Sequence, residues 1–322
     1  MSTSIKNLFR LLLALAISVG GLAFTGSIVL AAPVPIELCA LSGDATLTGA
    51  VTVPIWGFGI PTTPGDCSTA TASLPGPVLE VNLGDVVTVT VINDLPGGHT
   101  ASFELPGLLI TSPGVDQYQF TASRVGTFTY QSPGDSGRQM AMGLYGALVV
   151  RPLGEPAGFS SEQCSTAAGS AYGNAFDQEC LLVLSQVDPN FNADPDGFNM
   201  HDYLATYWMI NGKAYPDTTP IAATVGSNVL LRYVNAGYDS TTMALIGMHE
   251  KVIARDAFAL NNPFLASAET IPAGATEDTI VVIPSYTPPS ANGFVLYNRQ
   301  LHVTNGAPGV SPGGMLAFIM PE

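Results

Sequence analysis

Short stretches of alternating or β-branched residues recur along the chain, separated by turns rich in glycine and proline. Residues 86–91 (Val-Val-Thr-Val-Thr-Val) alternate in polarity as a half-buried strand requires. Such runs at this spacing are typical of β-sandwich proteins, and no amphipathic helix of three or more turns is predicted, so we expect an all-β fold. The predicted strands are 78–81, 86–92, 118–121, 127–131, 147–151, 181–184, 207–210, 228–234, 251–254, 279–283 and 294–297.

A weak internal repeat indicates two domains. Residues 84–93 and 226–235 each place a glycine and a polar residue before a strand that ends in asparagine. Duplication of one sandwich domain explains this pattern. We predict a first domain over 32–153, a linker with a disulfide over 154–179, and a second domain over 180–322.

The first 31 residues have the pattern of a secretory signal peptide. Lys6 and Arg10 form a basic start, an apolar stretch covers 11–30, and small or apolar residues at 29–31 suit cleavage. A retained membrane anchor is the alternative, because the stretch is long enough to cross a bilayer. Its internal glycines, threonine and serine weaken that alternative. We expect a secreted protein, extracellular or periplasmic, with no membrane segment after cleavage.

Charge and cysteine content narrow the function classes. Asp and Glu number 25 against 10 Lys and Arg, a formal net charge of −15 that disfavours nucleic acids and anionic membranes as partners. In an exported protein, four cysteines in loop-like segments predict disulfides, and the nearest pairs are Cys39 with Cys67 and Cys164 with Cys180. Metal ligation by one cysteine is the alternative, but none has a histidine beside it.

Several segments resemble the cupredoxin domains of multicopper oxidases. They match the opening strands of the first oxidase domain, the strands around its second copper motif, and the beginning of the second domain. The segments are 74–81, 84–85, 91–96, 126–130, 143–150 and 207–217. The resemblance implies two tandem cupredoxin-like Greek-key β-sandwich domains. Since related two-domain oxidases form homotrimers, it also implies a homo-oligomer.

The copper motifs of that family are not matched in the first domain. The family carries His-x-His pairs there, but this chain has Ser102 and Glu104 at the first pair and Gln131 and Pro133, around Ser132, at the second. The trinuclear centre of the family is built from such pairs, and this chain has 4 histidines and none in a pair. We therefore favour a non-catalytic structural, assembly or binding protein, with no resident cofactor.

Other chemistry near the first-domain positions receives little support. Asp135 and Ser136 follow the second motif, but no histidine stands beside them in the sequence, and no nucleophile elbow is present. A serine hydrolase is therefore not indicated.

Rearranged copper ligands are the principal alternative. His249, His302 and Met248 are the best candidates, because both histidines fall on strands that border one end of the second sandwich in this fold. Imidazole and thioether groups suit Cu(I), so a copper-binding oxidoreductase or a copper-storage protein remains open. The competing interpretation is that Met248 fills the hydrophobic core and binds no copper.

A calcium loop ranks behind copper. Asn192, Asp194 and Asp196 have the alternating spacing of the first half of such a loop, with Gly197 following. The twelfth position is Tyr203, where a bidentate glutamate belongs. We therefore favour a polar, turn-rich linker over a calcium site for this segment.

Overall fold

A computed structural model of the chain describes residues 33–155, 158–159, 163–303 and 312–322. The predicted signal peptide lies outside these residues. Two short helices are described, α1 (Arg138–Met142) and α2 (Pro189–Ala193). Short 3-10 turns cover Cys67–Thr69, Pro96–Gly98, Asp135–Gly137 and Met200–Asp202. In the described part of the chain, no helix is long and apolar enough to span a membrane.

The first half of the chain folds into two sheets. Its strands are β1 (Pro33–Leu47), β2 (Val51–Gly59), β3 (Leu79–Asn82), β4 (Val86–Asp94), β5 (Thr111–Gly114), β6 (Gln117–Thr121), β7 (Gly126–Gln131) and β8 (Tyr145–Arg151). The outer sheet has the order β2-β1-β4-β6-β5, and the first contact sheet has the order β3-β8-β7. Along β4, Val87, Val89 and Val91 are buried against the first contact sheet, as the alternation predicted.

The second half forms a larger sandwich. Its strands are β9 (Cys164–Ser165), β10 (Gly169–Ala171), β11 (Asn174–Phe176), β12 (Gln178–Val187), β13 (Tyr207–Ile210), β14 (Ile221–Ala223), β15 (Asn228–Asn235), β16 (Thr241–Ile246), β17 (Glu250–Arg255), β18 (Phe258–Ala266), β19 (Ala268–Ile271), β20 (Thr276–Val282), β21 (Phe294–Asn298) and β22 (Leu316–Pro321). The second contact sheet has the order β13-β12-β15-β20-β17-β18, with β9 also paired to β12. The sheet β14-β22-β21-β16-β19 covers its other face.

The all-β prediction is confirmed, and each predicted strand coincides with an observed one that is often longer. The long hairpin β1–β2 was missed. The predicted linker 154–179 contains the strands β9, β10 and β11. Both predicted disulfides are formed, Cys39–Cys67 and Cys164–Cys180. The second of them joins β9 to β12.

The two contact sheets face each other, and an apolar layer lies between them. Tyr145, Ala147 and Val149 of β8 pack in one buried cluster with Leu181 and Val183 of β12. These five side chains alternate with residues that point into the cores of their own sandwiches. The strands β8 and β12 are therefore buried on both faces.

A buried ionic chain runs through the same layer. It consists of Glu80, Arg151, Glu179, Arg232 and Asp278. The successive nitrogen–oxygen distances are 2.5, 2.6, 2.7 and 3.5 Å. The side chain of Glu80 is 9% exposed and each of the other four is 4% exposed or less.

Hydroxyl groups complete the end of this ionic chain. Asp278 accepts hydrogen bonds from Thr127 at 2.6 Å and from Tyr172 at 2.5 Å. Burial raises the pKa of Asp278, while Arg232 and the two hydroxyls act in the opposite direction. Thr127 belongs to the first sandwich, so the chain of contacts spans both halves of the protein.

One carboxyl group in the second sandwich lacks a cation. Glu250 is 1% exposed and accepts hydrogen bonds from Tyr233 at 3.2 Å and Thr279 at 2.9 Å, both on the same oxygen. Its other oxygen has no partner among the described residues. Burial, with the nearby charge of Glu277, raises the pKa of Glu250 from 4.5 to about 7.

Replacing Arg232 with methionine should destabilise the protein strongly. The change leaves Glu179 and Asp278 buried without their shared guanidinium, a defect that costs roughly 3–5 kcal/mol. Arg299→Met is the control, since Arg299 is exposed and such surface changes stay within about 0.5 kcal/mol. Urea denaturation of both variants measures the difference. Equal unfolding midpoints would contradict the assigned role of the ionic chain.

Glu250 should make stability fall with rising pH. The folded protein holds this proton more tightly than the unfolded chain, so the contribution is complete below pH 4.5 and is lost as pH rises through about 7. The shift corresponds to about 3 kcal/mol. The variant Glu250→Gln lacks this contribution, so its stability does not fall with it. The free energy of unfolding of the variant minus that of the wild type should therefore increase between pH 5 and pH 8 by an amount of that order. Urea midpoints at both pH values test this, and parallel pH profiles would refute it.

Candidate functional site

The first-domain positions where the family resemblance places histidine pairs are bonded to one another. At the end of β7, Gln131 and Glu104 exchange two backbone hydrogen bonds at 2.8 and 3.0 Å. The side-chain amide of Gln131 donates to the carboxylate of Glu104 at 3.0 Å. Two residues before Glu104 and one after Gln131, the backbone N–H of Ser102 donates to the Ser132 hydroxyl at 2.9 Å. We call these four residues the ligand-position cluster.

A buried glutamine extends the cluster. Ser132 donates to Gln139 Oε1 at 2.5 Å, and both residues are fully buried. The amide of Gln139 then donates to Asp135 Oδ2 at 2.8 Å and to the Thr100 carbonyl at 3.2 Å. A turn with positive φ at Asp135 (54°) and Ser136 (57°) accompanies this placement of the carboxylate. Non-glycine residues adopt that conformation at a cost, so surrounding contacts must hold it.

The network ends at His99, which is held between two carboxylates. Nδ1 lies 2.8 Å from Asp135 Oδ2 and Nε2 lies 3.0 Å from Asp196 Oδ1. An imidazolium ring can donate through both nitrogens, whereas a neutral ring donates through one. The ring also packs on buried Trp56, with the two ring centroids 4.5 Å apart. We call this arrangement the His99 clamp.

Asp196 belongs to a loop, residues 188–203, that returns from the second sandwich and packs on the first. Phe191 of α2 is fully buried in the core of the first sandwich. Arg138 of α1 donates to the carbonyls of Pro195 and Phe198, both at 3.1 Å. A cavity of about 260 Å³ lies beside Trp56 and His99, between this loop and the first sandwich. The loop therefore covers the end of the sandwich where the His99 clamp sits.

Sequence reasoning missed the clamp. No histidine stands beside Asp135 in the chain, but the fold brings His99 to Asp135 from 36 residues away. The only sequence feature that pointed to the clamp was the position of His99, three residues before Ser102.

The donor set of the ligand-position cluster does not fit a copper centre. Copper sites of the blue and trinuclear types use imidazole and thiolate ligands. The cluster instead offers hydroxyl, amide and carboxylate oxygens, and its polar atoms already pair with each other. Pro133, at the fourth ligand position, has no ligating atom in its side chain.

The predicted copper ligands of the second domain lie in different environments. Met248 is buried in the core of the second sandwich. His249 is exposed and lies in a groove with Lys251. His302 stacks on Trp208 with ring centroids 3.7 Å apart. Across the described ranges, no three or more His, Cys, Asp or Glu side chains form a group that could hold a metal ion.

The predicted calcium ligands each have another partner. The amide of Asn192 donates to the Pro54 carbonyl at 2.8 Å. Asp194 accepts a backbone N–H of its own turn at 3.1 Å. Asp196 pairs with His99. The three residues thus fasten the loop to the first sandwich and to itself.

Comparison with known proteins agrees with this fold. The family model described as multicopper oxidase matches residues 62–155, the stretch that contains the ligand-position cluster. Laccase-3 of Oryza sativa subsp. japonica is 24% identical over 238 residues. A copper-containing nitrite reductase of Alcaligenes xylosoxydans xylosoxydans is 28% identical over 242 residues. These matches show that the chain is similar to multicopper oxidases and related copper enzymes.

Solved structures of two copper proteins share the fold of this chain. The blue copper oxidase of Nitrosomonas europaea has a TM-score of 0.71 at 20% identity, covering 90% of this chain and 86% of that one. A copper nitrite reductase of the same organism has a TM-score of 0.66 at 21% identity, covering 90% and 94%. The sequence matches cover 67% of this chain for Laccase-3 and 66% for the nitrite reductase. They span 40% of the rice laccase and 70% of the reductase.

Breaking the His99 clamp should destabilise the protein. His99→Gln keeps one donor but loses the link between Asp135 and Asp196, and a hydrogen bond to a charged group contributes about 1.5–3 kcal/mol. His201→Gln is the matched control, because His201 lies exposed in the same loop. Urea denaturation gives the stability, and amide hydrogen exchange of residues 188–203 shows whether the loop opens. If both variants behave alike, the clamp does not hold the loop.

Proposed function

We propose that this protein is a non-catalytic member of the multicopper oxidase family, with a structural, assembly or binding role. The observation that carries the proposal is the ligand-position cluster. Where the family resemblance places copper-binding histidines, Gln131 and Glu104 bond to each other, and Ser102 bonds to Ser132. A site built this way has no free soft or imidazole donors for copper.

Loop 188–203 supports the same proposal. It fills the space over the His99 clamp with Phe191 in the first core and with the Arg138 hydrogen bonds. These contacts cover His99, at the inner end of the hydrogen-bond network. Side chains that pair with one another at the ligand positions suit a scaffold better than a redox centre.

We further propose that the protein is secreted and homo-oligomeric. Two disulfides suit an oxidising compartment outside the cytoplasm. The oligomer rests on the family resemblance, which favours a trimer. Light scattering of the purified protein tests this, and a monomeric mass would reject it.

Copper loading tests the loss of the metal centres. The wild-type protein, produced and dialysed with copper, should retain no stoichiometric copper and should not oxidise phenols. The variant Ser102→His/Glu104→His/Gln131→His/Pro133→His restores four imidazoles at the family positions and should gain copper. Metal analysis and the electron spin resonance spectrum measure both proteins. Stoichiometric copper with phenol oxidation in the wild type would overturn the proposal and favour rearranged Met and His ligands.

A further inference from the structure

A groove of about 600 Å³ lies on the second contact sheet, beside the β10–β11 hairpin. All its lining residues fall within 173–282, so it belongs to the second sandwich alone. Volumes of this order are typical of small-molecule sites. None of the contacts described above for the ligand-position cluster or the His99 clamp reaches it.

The strand register gives the groove an apolar floor. Leu265 of β18 and Ile280 of β20 both pair with Lys251 of β17, so the three side chains form one row across the sheet. Val282 continues the floor two residues along β20. Leu265 is 70% exposed and Val282 is 59% exposed, which leaves apolar surface open to a ligand.

Lys251 supplies a cation at the edge of this floor. Its ammonium group donates to Asn174 Oδ1 at 2.9 Å and joins no ion pair among the described residues. An ammonium has three N–H donors, so two remain for a ligand. His249 lines the groove as well. By contrast, Arg151, Arg232 and Arg255 are committed to carboxylates.

Lys251 thus places a cation without an ion pair beside an apolar floor. The chain carries a net charge of −15, so anions are repelled from its surface in general. A local site that attracts an anion therefore has to be built from specific side chains. The groove combines such a cation with surface that an aliphatic or aromatic body can cover.

We propose that this groove binds a small organic carboxylate with an apolar body. The carboxylate would accept hydrogen bonds from Lys251 and lie near His249, and the apolar body would cover Leu265, Ile280 and Val282. The proposal does not depend on the loss of copper centres, because copper content and carboxylate binding are measured separately.

Octanoate is a suitable probe for the intact protein. Ligands of about ten heavy atoms at about 0.3–0.4 kcal/mol per atom give a Kd in the millimolar range. Neutral octanamide can still accept a hydrogen bond from Lys251 through its carbonyl but lacks the carboxylate charge, so it should bind several-fold more weakly. Amide chemical shifts measured during titration should move at residues 173–175, 249–251, 265 and 280–282.

Two surface variants and a control locate the site. Lys251→Met should weaken octanoate binding about tenfold by removing the charge-assisted hydrogen bond while keeping the side-chain length. Leu265→Ser should weaken it several-fold by removing apolar contact. Lys213→Met, at another exposed lysine, should leave binding unchanged. Equal binding of octanoate and octanamide, no effect of Lys251→Met, or shifts confined to other residues would each overturn the proposal.

Discussion

The buried ionic chain between the two contact sheets is the constraint on which the rest of the structure depends. Arg151 and Arg232 are buried, so each needs its carboxylates in place, and Glu179 serves both. The cost of removing these charges from water offsets most of the attraction between them, so we infer that the ionic chain adds little net stability. Its larger effect is to select one arrangement of the two sandwiches. It fixes how β8 lies over β12 and β15. Because the two sandwiches are held in this arrangement, loop 188–203 can return to the first sandwich and reach His99.

The ligand-position cluster explains how the sandwich keeps its form with other residues at the metal positions. Gln131 and Glu104 satisfy each other, and Ser132 passes its hydrogen bond to buried Gln139. A buried polar network is stable when its members are satisfied. The strands that define the family resemblance contribute cores, turns and register, and these do not require a metal. The fold therefore does not depend on which residues stand at the copper positions, as fold and function are often separable.

Alternation and turn residues were enough to predict the all-β class, because strands such as 86–91 record their burial in the local sequence, and the cupredoxin-like architecture followed from the family resemblance. The strand β1 (Pro33–Leu47) was not predicted, since its prolines and glycine interrupt the pattern and its support comes from β4, about 50 residues away. The absence of histidine at the first-domain copper positions could also be recognised from the sequence, because each position is a single residue at a known place in a motif. The His99 clamp was not, since Asp135 and Asp196 reach His99 only through the folded chain.

The most direct test of this account is an anomalous scattering measurement at the copper absorption edge, on crystals grown with copper. The account predicts no anomalous peak among Ser102, Glu104, Gln131 and Ser132, and predicts these side chains in hydrogen-bonded contact as described. A copper peak within coordination distance of any of these four residues would contradict the claim that the metal centre has been replaced by a hydrogen-bonded cluster.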